Sequence, residues 1–107
     1  MRTLEFEVRQ QRLLKKRGCD FTGLIAGSVG YLQAKFNFSG ESWSLCKNKI
    51  ARFWINGTEY AVELNDDYTC TIPEEVLTGE EFYVSILGAN IQYRIETNKC
   101  KVRQEEN

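Results

Sequence analysis

Ala51-Arg52-Phe53-Trp54-Ile55-Asn56-Gly57-Thr58-Glu59-Tyr60-Ala61-Val62-Glu63-Leu64 is the stretch on which the fold turns. Ala51, Phe53 and Ile55 alternate with Arg52 and Trp54. After Asn56-Gly57 the alternation resumes, with Tyr60, Val62 and Leu64 set against Glu59, Ala61 and Glu63. A period of two puts each apolar set on one face of an extended chain, because successive strand side chains point to opposite sides. Asn-Gly between two such runs is the strongest short hairpin signal, since both residues tolerate the positive φ of a two-residue turn. The stretch predicts an antiparallel hairpin with one buried face.

The same period extends outward from it. Leu4, Phe6 and Val8 stand against Thr3, Glu5, Glu7 and Arg9, and Leu32, Ala34, Phe36 and Phe38 against Gln33, Lys35 and Asn37. Further runs cover 68–72, 82–87, 91–95 and 100–102, with weaker ones at 11–16 and 21–26. Asn65-Asp66-Asp67, Thr78-Gly79 and Gly88-Ala89-Asn90 mark reversals. Pro73 closes a strand and introduces Glu74-Glu75-Val76-Leu77, a segment suited to one helical turn. No segment sustains a period of 3.6. The reading is one all-β domain over 1–107, an antiparallel two-sheet sandwich (Ig-like) or partly open barrel of about seven to nine short strands. Its expected core includes Phe6, Phe36, Phe38, Phe53, Val62, Leu64, Ile72 and Val84.

Composition limits what such a domain does. Apolar residues make up 42% of the 107-residue chain, enough to bury a core without metal or disulfide staples. Fourteen basic residues against fifteen acidic ones leave a net charge of −1, which draws the chain toward neither nucleic acid nor an anionic membrane. It also leaves little repulsion between copies. The N-terminus alternates charged and apolar residues, unlike a signal peptide, so a cytoplasmic protein is expected. In that compartment Cys19, Cys46, Cys70 and Cys100 are expected as free thiols, with no disulfide.

The inventory for chemistry is thin. The chain contains no histidine, hence no Ser-His or Cys-His pair. The cysteines lack the close pairing of a zinc site. Asp66-Asp67, Glu74-Glu75, Glu80-Glu81 and Glu105-Glu106 are adjacent acids, which point to opposite faces of a strand and read as solvated turns. Asn65-Asp66-Asp67 alone is short of the ligands calcium requires. Arg9, Arg12, Lys15, Lys16 and Arg17 carry no interleaved aromatics, and read as an edge strand or hairpin that charge protects from unwanted pairing. No catalytic, cofactor or metal residue emerges. Trp54 breaks the parity of Phe53 and Ile55 and is placed on an outer face, where a tryptophan can stack on a sugar or anchor an interface. Tyr83 and Tyr93 join it as candidate binding residues. Trp43, in a turn, is placed to plug one end of the core.

Tyr31-Leu32-Gln33-Ala34-Lys35-Phe36-Asn37-Phe38-Ser39, Glu41-Ser42-Trp43, Lys49-Ile50-Ala51-Arg52-Phe53 and Cys70-Thr71-Ile72-Pro73-Glu74-Glu75-Val76-Leu77 follow one another in order. Together with the strand from Phe82 to Gly88 and the Glu96-Thr97-Asn98 turn, they resemble small β modules of phages and prophages of Gram-positive bacteria. Those modules open tail- and baseplate-associated proteins. Phe21-Thr22-Gly23-Leu24-Ile25 and Cys46 have no counterpart in that pattern. The resemblance implies a structural or adaptor component without catalysis, partnered by itself as a homo-oligomer or by other tail-type proteins. It would be cytoplasmic before assembly and in the virion if the prophage is active. The competing reading is a carbohydrate-binding module that holds a cell-wall glycan on its exposed aromatics.

Overall fold

The computed structural model describes residues 1–106, and nine strands account for about half of them. They are β1 (Arg2–Arg9), β2 (Arg12–Lys15), β3 (Leu32–Ser39), β4 (Asn48–Ile55), β5 (Thr58–Glu63), β6 (Thr69–Thr71), β7 (Glu81–Ala89), β8 (Arg94–Glu96) and β9 (Cys100–Arg103). One short helix, α1 (Glu41–Ser44), and a 3-10 turn (Glu74–Thr78) complete the elements. One sheet runs β2-β1-β3-β6; the other runs β5-β4-β7, with β8 and β9 both pairing to β7. The all-β sandwich expected from the period-two runs is what forms. None of the helical segments is long and apolar enough to cross a membrane.

The hairpin that opened the reading is present. Asn56 and Gly57 adopt φ of 49° and 80°, and β4 and β5 pair without a bulge from Ile50↔Glu63 to Ile55↔Thr58. Among the nine strands, antiparallel pairing holds everywhere but in one place. β1 and β3 run parallel, in register from Arg2↔Leu32 to Arg9↔Ser39. Parallel neighbours need a long crossover connection, and residues 16–31 supply it.

Alternation delivers the core as expected. Leu4, Phe6, Val8, Ala34, Phe36, Ala51, Phe53, Ile72, Phe82, Val84 and Ile86 are all but sealed from solvent, with Val76 and Leu77 of the 3-10 turn among them. Phe6 and Phe36, register partners, stack with ring centroids 5.2 Å apart. Trp43 closes one end from within α1, fully buried rather than sitting in an open turn. Its indole N–H donates to the Gln10 carbonyl at 2.7 Å. A Cβ on Gly88 would come within 2.8 Å of the Trp43 ring, so β7 carries glycine where the indole lies against it.

Four details depart from the sequence reading. Phe38, Val62 and Leu64 are only half-buried, because β5 is an edge strand and the last residues of β3 extend past β6. Residues 21–26 form no strand; they contribute one isolated bridge, Ile25 to Glu105. The 91–95 run shrinks to β8, since the Asn90 side chain gathers the Gln92 and Tyr93 amides into a turn and leaves Ile91 fully exposed. The weak 11–16 run, by contrast, becomes β2, pairing with β1 across the Gln10-Gln11 turn.

Candidate binding surfaces

The outer face of the β5-β4-β7 sheet is organised around Arg52. Its guanidinium donates to both Glu96 oxygens at 2.7 and 2.9 Å, and its Nε to Glu59 at 2.6 Å. The bond to Glu59 comes first in raising the guanidinium pKa above its ordinary value, with the negative charge of Glu96 adding to it. Three strands, β5, β4 and β8, are tied across this face.

Trp54 and Tyr83 face each other as register partners of β4 and β7. With Asn56, Gly57, Glu81 and Lys99 they line a groove of about 410 Å3. The Trp54 indole donates to the Ser85 hydroxyl at 3.1 Å. Lys99 Nζ lies 3.9 Å from the Trp54 ring centroid, and the Arg52 guanidinium carbon 4.8 Å. Cations attracted to the ring's negative face hold the positions a stacked ligand would take. Tyr93, the third aromatic named from sequence, does not join this pair. Its hydroxyl donates to the Ser42 carbonyl at 2.6 Å, beside Gln10, Gln11 and Arg94 at the Trp43 end of the sandwich. Period two could not have told these places apart, since the turn at Asn90 resets the chain direction.

The sheet edges divide into guarded and unguarded. On one side, Asn98 in the β8–β9 turn plays the part of a missing strand. Its Oδ1 accepts from the Leu13 N–H at 2.8 Å, its Nδ2 donates to the Leu13 carbonyl at 3.3 Å, and its own N–H reaches the Gln11 carbonyl at 3.2 Å. Below it, the Glu105 backbone bonds Leu24 and Ala26. The Leu13 backbone of β2 is therefore covered by an amide side chain, on the edge strand that carries Arg12 and Lys15 of the basic run. Lys16 and Arg9 of that run pair with Glu5 and Glu7 on β1.

On the opposite side, Thr69 of β6 is satisfied locally. Thr69 N–H bonds the Asp67 carboxylate, and its carbonyl receives the Asn65 N–H. The Thr69 hydroxyl and N–H hold the Asp67 pKa below the usual carboxylate range. β5 has no such cover. Leu64 N–H bonds the Lys49 carbonyl, so alternation turns Tyr60 and Val62 toward β4 and leaves the N–H and C=O of Glu59, Ala61 and Glu63 pointing away.

Ionisable groups near the core are held in place. Lys49, 7% exposed, donates to the Cys46 carbonyl at 2.6 Å, with its ammonium 5.4 Å from the Phe38 ring and 5.0 Å from Tyr68. The four cysteines are free thiols; burial pushes Cys70 up to about 12, which keeps it neutral. Among the described residues, no three His, Cys, Asp or Glu side chains come together as a metal site.

No protein-family model matches this chain, and no curated protein matches it either. The binding surfaces therefore stand on their own geometry. Of the features that define them, Trp54 and the Asn56-Gly57 hairpin were legible in sequence. The Asn98 clamp was not, because its partner Leu13 lies in another sheet.

Proposed function

We propose that this protein is a non-catalytic assembly module, a structural or adaptor component of a phage- or prophage-type tail or baseplate that works through protein–protein contact. The observation that carries it is the unequal treatment of the sheet edges: Leu13 of β2 and Thr69 of β6 have their outward backbone groups bonded within the chain, while β5 offers a continuous, unbulged row of backbone groups left unpaired among the described residues. Open edges of this kind pair readily with other chains, and proteins that have no use for one usually block it with lysine, proline or a bulge. The stretch 58–63 contains neither lysine nor proline. The tail context comes from the ordered Phe36/Phe38, Trp43, Lys49/Ala51/Phe53 and Cys70–Leu77 motifs. Light scattering at micromolar concentration and copurification with the products of adjacent genes test the reading. A strict monomer that recovers no protein partner would overturn it.

The Trp54–Tyr83 groove favours one second reading, a glycan-binding module, since a cross-strand aromatic pair rimmed by Asn56 and Glu81 offers both stacking and hydrogen bonds. Lys99 would have to leave the Trp54 ring first. Quenching of Trp54 fluorescence by cell-wall fragments, lost in Trp54→Ala, would establish it.

A further inference from the structure

We infer that the partner docks by adding a strand to β5, and that the added strand alternates basic with apolar residues. This deepens the assembly reading and rests on it. The backbone of Glu59, Ala61 and Glu63 supplies the hydrogen-bonding template, since these residues turn away from β4. Side chains then specify what fits. On the outer face the edge presents Glu59 and Glu63, both exposed. Among the described residues, Arg52 is the one cation bonded to Glu59, and it is shared with Glu96. Glu63 makes no ion pair among the described residues. On the inner face, Tyr60, Val62 and Leu64 are half-buried, with apolar flanks left along the edge. A neighbouring strand therefore gains by placing lysine or arginine beside the glutamates and apolar side chains beside Tyr60 and Val62.

The same geometry argues against a second copy in this place. Two β5 strands centred on Ala61 would set Glu59 of each against Glu63 of the other, and like charges directly opposite destabilise a sheet pair. Of the chain's own basic strands, β2 has its Leu13 backbone held by Asn98, and β9, with Lys101 and Arg103, packs against β2 at the rim opposite β5. The occupant is an extended segment of another polypeptide.

The direct test uses the full chain, labelled for amide exchange, with a short capped peptide alternating lysine and valine as the probe. Its glutamate–valine counterpart serves as control. Exchange at Glu59, Ala61 and Glu63 is expected to slow with the lysine peptide only, while Tyr60 and Val62, already bonded to β4, stay as they are. Ala61→Pro removes an outward donor without touching a β4 bond, and is expected to abolish the effect. Glu63→Lys is expected to weaken binding by about tenfold. Protection of Tyr60 and Val62 verifies that each variant keeps its hairpin. Binding that leaves the three outward amides unchanged, or that survives both substitutions, overturns the inference. Protection that rises with protein concentration alone, without peptide, would make a second copy the occupant and also overturn it. An Ala61→Pro chain that still copurifies with its partner sinks the strand-addition inference but spares the assembly reading.

Discussion

The two sides of this sandwich solve the same problem in opposite ways. Both end in strands with unpaired backbone. On the Asn98 side, one side-chain amide satisfies the N–H and carbonyl of Leu13, and the Leu24–Ala26 segment meets Glu105 below it. On the β5 side, no bond among the described residues meets the outward backbone groups of Glu59, Ala61 or Glu63. Closing an edge from within takes only a turn that passes near it, and the loop 64–68 that joins β5 to β6 passes near enough to serve β6 through Asn65 and Asp67. It serves β6 and not β5, and the outward backbone groups of the longer strand stay unpaired among the described residues.

Both sides rest on one shared core, where the largest effects are expected. Phe36→Ala and Phe53→Ala, one on each sheet and both fully packed, are each expected to cost about 3–5 kcal/mol through lost burial and the cavity left behind. Chemical denaturation measures it. A cost under about 1 kcal/mol at both would mean the sheets are not packed face to face. Next comes the guarded side: Asn98→Ala strips two bonds from the partly buried Leu13 backbone and is expected to cost about 1–3 kcal/mol, with faster amide exchange at Leu13. If Leu13 exchange does not change, Asn98 is not the guard.

The unguarded side should answer far more weakly. Ala61→Pro is expected to lower stability by less than about 1 kcal/mol, since an edge strand tolerates proline where the N–H faces outward. A loss as large as that of Asn98→Ala would erase the contrast between the two sides.

The smallest effect is the response to acid. Asp67, lowered chiefly by the Thr69 hydroxyl, and Glu5, lowered chiefly by the Asn37 amide, have folded pKa values below their unfolded ones. Their contributions are therefore present above the ordinary carboxylate range and lost as pH falls through the folded values. Glu80 runs the other way: its hydrogen bond to Glu106 raises it, so its contribution is present in acid and lost as pH rises through its folded value. Thermal melts across about pH 3–6 are expected to show Asp67→Ala flattening the acid loss and Glu106→Gln altering only the opposing slope.

What was legible in the sequence follows from what period two encodes. It states which residues share a face, and so Phe6, Phe36, Phe53, Ile72 and Val84 fell into the core as expected. It does not state which strand lies next to which. The parallel pairing of β1 with β3 was hidden for that reason, as was the half-burial of Val62 and Leu64, which depends on β5 having only one neighbour. The outward parity of Trp54 and Tyr83 was readable; that they adjoin, and that Tyr93 lies apart, required the register between β4 and β7. Lys49 hides among aromatics because its inward parity is offset by the Cys46 carbonyl and two rings, partners contributed by a helix end, β3 and the turn before β6.

The parallel pair also sets an order of events during synthesis. β1 and β2 are complete when residue 15 leaves the ribosome, yet the strand that must flank β1 on its other side begins only at Leu32. Until β3 arrives, the early hairpin carries Leu4, Phe6 and Val8 with nothing to cover them, and isolated two-stranded hairpins are marginal in water. Pairings between distant parts of a chain form slowly, and exposed apolar strands in the interval are where aggregation starts. Slow arrival of residues 16–39 is thus expected to lengthen the interval in which the early hairpin stands uncovered.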